Sequence, residues 1–122
     1  MHKGFIALLT VLTLLAFSLS LTATTTYLSI GEAQSAYAIV QGARALSLTE
    51  GCAEDALLLS SRDENYEGGN YEYLGGTCTA EVTKDGTLWQ LTITGTKDSF
   101  ERSIAIAIDR VPPVTLVSWL EQ

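Results

Sequence analysis

Hydrophobic and polar positions divide the chain into a continuous apolar segment, a segment with helical periodicity and a segment in which they alternate. The apolar segment extends from Gly4 to Ile30 and contains no charged residue. Runs of about eighteen or more apolar residues are typical of membrane-spanning helices, because a helix satisfies every backbone polar group inside hydrocarbon. We therefore predict a transmembrane helix over residues 5–30.

The charges that flank this segment predict its orientation. Lys3 precedes it, and the first charge after it is Glu32. Positive charge favours the cytoplasmic side, so we expect a cytoplasmic N-terminus and an extracytoplasmic C-terminal domain. The alternative is a cleaved signal peptide, with Ser18-Leu19-Ser20 as its best cleavage site and a mature chain that begins near Leu21.

Helical periodicity continues beyond the apolar segment. Residues 31–61 contain no proline and are rich in Ala and Leu. Apolar side chains recur there at helical spacing and are expected to form one stripe. The stripe comprises Ala45, Leu48, Cys52, Ala56 and Leu59. We predict one helix of about 55 residues whose second half packs on a domain.

The segment 62–76 is rich in Gly, Tyr and acidic residues and has no clear periodicity. We predict a loop. Asp63, Asn65 and Glu67 precede Gly68, as oxygen ligands precede the turn glycine of a calcium loop. However, Leu74 occupies the place of the closing Glu, so a solvated acidic loop is the favoured interpretation.

From residue 77 onwards, polar and apolar residues alternate, which predicts strands. Three runs, 77–83, 87–94 and 100–110, are separated by short polar turns and indicate an antiparallel meander. Their apolar faces comprise Cys78, Ala80, Val82, Trp89, Leu91, Ile93, Ile104, Ile106 and Ile108. After Pro112-Pro113 the tail, which ends at Gln122, is expected to return along the sheet. Trp119 in that tail either closes the edge of the core or contacts a neighbouring subunit.

The two cysteines connect the helical and alternating segments. Cys52 lies on the helical stripe and Cys78 on the apolar face of the first strand. In an oxidising compartment they can pair, provided that these faces pack together; two buried free thiols are the alternative. The predicted fold class is thus α+β, a long N-terminal helix packed on an antiparallel sheet of three to four strands.

Charge and residue chemistry exclude several classes of function. The net charge is −7, and the seven cationic residues are scattered, which argues against nucleic-acid binding. The only histidine, His2, precedes the apolar segment, so no Ser-His or Cys-His pair is available beyond it. No phosphate-binding loop is present. We therefore expect a non-enzymatic protein without cofactor or metal.

The beginning of the chain resembles the type IV pilin and pseudopilin precursors. The resemblance depends on Lys3, Gly4 and Phe5, followed by an uncharged helix that continues into a small sheet domain. It implies that residues 1–4 are a leader, that a prepilin peptidase cleaves between Gly4 and Phe5, and that the new amine of Phe5 is methylated.

The resemblance also implies partners. Mature helices of this family pack side by side in the core of a filament, so other pilin or pseudopilin subunits, the inner-membrane assembly platform and membrane lipid are expected. The residues expected to form the assembly surface are Phe5, Leu8, Leu9, Leu12 and Leu15. The filament would lie at the cell surface or in the periplasm, and the resemblance does not specify adhesion, motility, DNA uptake or secretion.

One position departs from the family pattern. The fifth mature residue is usually a Glu that neutralises the N-terminal amine of a neighbouring subunit, but here it is Leu9, and no carboxylate occurs before Glu32. Burying an amine without a counter-charge is costly. This departure favours a minor subunit that initiates or caps a filament. A membrane-anchored binding module that never polymerises remains the alternative.

Overall fold

The computed structural model describes residues 2–73 and 75–122; Met1, in the predicted leader, and Leu74, in the predicted loop, lie outside the described residues. Within these described residues the chain forms one helix followed by five strands. The elements are α1 (His2–Arg62), β1 (Gly68–Tyr73), β2 (Gly76–Asp85), β3 (Leu88–Lys97), β4 (Phe100–Asp109) and β5 (Thr115–Glu121). The α+β prediction is confirmed, with one strand more than the upper expected number.

The chain separates into two compact units, of which the first ends at Ala38 and the second comprises Ile39–Gln122. The first unit consists of helix, and its side chains are exposed throughout its described residues. The second contains the remainder of α1 and all five strands.

In the second unit the strands form a single antiparallel sheet in sequence order, β1-β2-β3-β4-β5. The predicted three-strand meander corresponds to β2, β3 and β4, and the tail returns as β5. Alternation places one face of the sheet against α1. The core on that face includes Cys78, Ala80, Trp89, Leu91, Ile93, Ile104, Ile106 and Ile108, whereas the predicted core residue Val82 is half-buried.

The predicted loop 62–76 is wrong in its second half, because β1 pairs with β2 from Gly68 opposite Glu81 to Tyr73 opposite Gly76. The two glycines at its start hide the strand in the sequence. The remaining signal is the alternation of Tyr71, Glu72 and Tyr73, which places both tyrosines on the side of the core.

The buried stripe of α1 differs from the predicted one in composition. Ala45, Cys52 and Ala56 are buried as predicted, but Leu48 is half-buried and Leu59 is 40% exposed. Small and polar side chains occupy the remaining positions. The buried set on α1 is Gln41, Gly42, Ala45, Thr49, Cys52, Ala53, Ala56 and Ser60. Hydrophobicity favoured the large leucines, but most of the residues that α1 buries are small.

Gly95 on β3 permits this close approach. A Cβ atom added to Gly95 would lie 3.1 Å from the Cα atom of Thr49. The Thr49 hydroxyl donates to the carbonyl oxygen of Ala45 at 2.7 Å and contacts that of Arg102 at 3.4 Å. The fully buried Thr49 hydroxyl therefore has carbonyl acceptors within the protein and requires no water molecule.

We expect Gly95→Val to destabilise the second unit by about 1–3 kcal/mol, because the added side chain must push Thr49 and the helix backbone away from the sheet. Valine has a higher strand propensity than glycine, so a loss of stability in this variant cannot reflect strand propensity. Urea unfolding of the full chain in detergent measures the effect. Thr92→Val, on the exposed face of the same strand, is the matched control, and equal stability of the two variants would contradict the explanation.

Candidate assembly surface

The predicted processing residues lie near the beginning of α1. Gly4 and Phe5 are both helical and exposed, and the Phe5 side chain is 65% exposed. A Cβ atom added to Gly4 would meet no atom within 4 Å. The peptide bond between them is therefore accessible within the described part of the chain.

The apolar segment of α1 buries nothing within the chain. Every residue predicted for the assembly surface, namely Phe5, Leu8, Leu9, Leu12 and Leu15, is more than half exposed. The helix is long and apolar enough to cross a membrane, and none of its most apolar window is buried. An apolar surface of this length requires cover from lipid or other helices. It is compatible with a single-pass membrane anchor.

Hydroxyl groups within the apolar segment bond to their own helix. Thr10 donates to the Ala7 carbonyl at 2.8 Å, Thr13 to that of Thr10 at 2.9 Å, and Ser20 to that of Ala16 at 3.0 Å. Such bonds satisfy the hydroxyls without a second helix. The apolar segment can therefore enter hydrocarbon without unsatisfied side-chain donors at these three positions.

The disulfide Cys52–Cys78 joins α1 to β2, with a Cα–Cα distance of 6.6 Å. Both cysteines are buried in the core cluster. The predicted pairing is confirmed, and the alternative of two free thiols is excluded. The bridge joins the helix covalently to the sheet.

Three tyrosines connect β1 and the end of α1. The hydroxyls of Tyr66 and Tyr71 are 3.0 Å apart, and the Tyr73 hydroxyl donates to Asp55 Oδ2 at 2.5 Å. Burial, followed by the hydrogen bond to Tyr71, raises the pKa of Tyr66. The hydrogen bond to Asp55, followed by burial, raises the pKa of Tyr73 to about 12. These contacts attach the edge strand to the helix.

We expect the Tyr73 contact to make stability depend on alkaline pH. In the unfolded chain Tyr73 has an ordinary pKa of about 10, so it ionises there at a lower pH than in the folded chain. The contribution of its hydrogen bond to stability is therefore complete below pH 10 and is lost as pH rises through about 12. Urea unfolding at pH 9 and pH 11.5 measures this. Tyr73→Phe should lose less stability over that interval than the wild type, and equal losses would contradict the assignment.

The candidate calcium residues have other contacts. Asp63 Oδ1 accepts a hydrogen bond from the Asn65 backbone N–H at 2.9 Å, which forms a local turn after α1. Glu67 is exposed and directly precedes β1. Among the described residues, no group of three or more His, Cys, Asp or Glu side chains could hold a metal ion.

Trp119 on β5 is half-buried, packs against the core cluster and lies opposite Ile106 on β4. The first of the two predicted roles, closure of the core edge, therefore describes its position. The adjacent side chains Leu116, Val117 and Leu120 are all more than half exposed.

No family model, curated protein or solved structure matches this chain.

Sequence reasoning missed the environment of Trp89. Its ring is buried, with the Lys84 ammonium and the Arg110 guanidinium each 4.3 Å from its centroid. The Lys84 ammonium also donates to the Glu64 carbonyl at 3.0 Å, so it connects the segment after α1 to β2. Lys84 is directly opposite Trp89 in the sheet, and that register was the only sequence signal available.

Proposed function

We propose that this chain is a non-enzymatic minor pilin or pseudopilin that assembles through its N-terminal apolar helix and initiates or caps a filament. The observation that carries the proposal is the leader-like Lys3-Gly4-Phe5 sequence at the start of an apolar helix that buries none of its own large side chains. A helix of this kind packs equally well against lipid and against similar helices, and can therefore pass from a membrane into a filament core.

The rest of the architecture supports the same proposal. The sheet domain is attached to the far end of the same helix by a disulfide, a hydrogen-bonded tyrosine and a close Thr49–Gly95 contact. Force applied to the helix in an assembled filament would therefore be transmitted directly to the sheet. A disulfide is expected on the extracytoplasmic side of a bacterial membrane, as the predicted orientation requires.

Leu9 favours a minor subunit over the repeated one. In the proposed helix bundle the amine of Phe5 would need a counter-charge, and the chain supplies no carboxylate before Glu32. A subunit that repeats along a filament would incur this cost at every position, whereas a subunit present once would incur it once.

Mechanical shearing of cells tests the proposal against a permanently anchored binding module. The full chain with a C-terminal tag should appear in the sheared filament fraction together with other pilin-like subunits. If it remains wholly in the membrane fraction while filaments are recovered without it, the filament proposal is wrong.

We expect Leu9→Glu to increase the number of copies per filament severalfold, because its carboxylate can pair with the amine of a neighbouring subunit. Quantitative mass spectrometry of purified filaments measures the ratio of subunits. Leu8→Glu is the matched control, since its carboxylate would lie about 100° away around the helix. An unchanged ratio for Leu9→Glu would count against the minor-subunit assignment.

A further inference from the structure

Strand β5 lies at one edge of the sheet and lacks the features that usually protect an edge. It is the last strand in the sheet order, beside β4. Natural edge strands commonly carry Lys, Pro or several charges, which prevent pairing with another chain. Strand β5 contains no Lys, Pro or Gly, and its one charged residue, Glu121, is at its end. Its side chains Leu116, Val117 and Leu120 are large, apolar and more than half exposed.

Backbone groups of β5 point toward the open edge. The Gln122 N–H donates to the Ser103 carbonyl at 2.8 Å, and the Ser103 N–H donates back at 3.4 Å. Such exchanging pairs alternate with non-bonded pairs along antiparallel strands, and the register continues without a shift as far as Ser118. The N–H and C=O groups of Trp119 and Glu121 therefore point away from β4, where a further strand could bond to them.

The core is incompletely covered beside this edge. Leu116 lies opposite the buried Ile108, on the core face of β5, yet its side chain is 54% exposed. Leu58 on α1 is 48% exposed. Together they line an apolar groove between α1 and β5. We call it the β5 groove, and its walls include Leu57, Leu58, Ser61, Ile108, Val114 and Leu116. One more strand beside β5 would cover these side chains.

The charges around the β5 groove are negative. Glu54 lines it, and Glu50 lies one helical turn before Glu54 on the same side of α1. Asp55 lines it as well, although its carboxylate accepts the Tyr73 hydrogen bond. The register places Glu121 on the core face of β5. An occupant that carries a Lys or Arg side chain would therefore be attracted to the groove.

A second copy of this chain does not have the required charge. Its two edge strands are β1 and β5. Neither contains Lys or Arg, and β1 carries Glu72. Either edge would therefore bring further negative charge to the β5 groove, so the charges favour a different protein as the partner.

We propose that the β5 edge binds an extended segment of a different protein, which adds to the sheet as a sixth, antiparallel strand. Its alternate apolar side chains enter the β5 groove, and a Lys or Arg meets Glu54 or Glu121. Antiparallel pairing is the more stable kind per residue, and strand addition to an exposed sheet edge is a recurrent mode of peptide recognition. The inference goes beyond the proposed function and does not depend on it, since the edge belongs to the second unit.

A synthetic strand tests the proposal on the full chain in detergent. The probe is a short capped peptide with lysine at both ends and alternating valine and threonine between them. If the valines face the groove in an antiparallel pair, their N–H groups face β5. N-methylation of the valines should therefore weaken binding about tenfold, whereas the matched control, N-methylated at the threonines, should bind like the parent peptide. Fluorescence anisotropy measures both. Failure of the parent peptide to bind, or equal binding of the two methylated peptides, would overturn the inference.

Hydrogen exchange of the β5 amides locates the added strand. At saturating peptide, exchange of the Trp119 and Glu121 N–H groups should slow about tenfold or more, because each gains or lies within a new strand pairing. The Leu120 N–H points toward β4 in the free chain and is the internal control, with little change expected. Binding of the peptide with unchanged exchange at Trp119 and Glu121 would overturn the inference.

Charge exchange tests the chemistry of the partner. The double substitution Glu54→Lys and Glu121→Lys should weaken binding of the lysine-ended peptide about tenfold, since attraction becomes repulsion. A peptide that ends in glutamates should bind this variant more tightly than it binds the wild type. If both peptides bind wild type and variant equally, a cationic partner is ruled out and the inference is wrong.

Discussion

Gly4→Leu is expected to leave the leader on the chain and to abolish its appearance in sheared filaments. The prepilin peptidase implied by the resemblance must reach the peptide bond between Gly4 and Phe5, and a large side chain beside that bond would block the approach. The retained Lys3 would also hold a charge next to the apolar helix, where it opposes transfer into a filament core. Intact-mass measurement should detect no cleaved chain, and the sheared filament fraction should contain none of the variant.

Lys3→Arg is the control for this prediction, because it preserves the leader charge and leaves the Gly4–Phe5 bond unchanged. It should be processed like the wild type. Normal cleavage of Gly4→Leu at the same bond would show that the implied peptidase does not act on this chain.

The double substitution Cys52→Ala and Cys78→Ala is expected to cost the second unit about 3–4 kcal/mol. The bridge spans 26 residues of sequence, and in the chain-entropy model a loop of that length contributes about this much by restricting the unfolded state. A domain of this size has only about 5–15 kcal/mol of stability, so the loss is a large fraction. Urea unfolding of the full chain in detergent, monitored by tryptophan fluorescence, measures the loss.

Reduction provides the matched comparison for the disulfide. Treating the wild type with reductant should lower its unfolding midpoint to about that of the double variant, whereas reductant should not affect the double variant. If the wild-type midpoint is unchanged by reductant under conditions that reduce the bridge, the disulfide does not stabilise the contact between helix and sheet.

Sequence patterns that extend over many consecutive residues predicted most of the fold. The absence of charge over residues 4–30, together with the Ala-rich segment after it, predicted a single helix, and α1 is continuous from His2 to Arg62. Alternation predicted the inward faces of β2, β3 and β4, because an antiparallel sheet with one covered face requires that period. The cysteine pairing followed from those two faces.

Features that depend on close approach could not be predicted. Hydrophobicity assigned Leu59 to the buried stripe, yet its side chain is 40% exposed, whereas the polar Thr49 and Ser60 are buried. The position of Gly95 opposite Thr49 is a property of the packed helix and sheet, and no local pattern reveals it. Strand β1 was missed because its glycines resemble a turn.

For the candidate site, the sequence provided the processing residues and the apolar surface, but not the cationic environment of Trp89. That environment exists only when Lys84 from β2 and Arg110, which follows β4, are brought to the Trp89 ring on β3.

The most direct measurement of the central claim is the N-terminus of the mature protein recovered from its own cells, determined by mass spectrometry. We predict a chain that begins at N-methylated Phe5 and retains the whole apolar helix. A chain that begins near Leu21, or one that retains its leader with an unmodified Phe5, would contradict it.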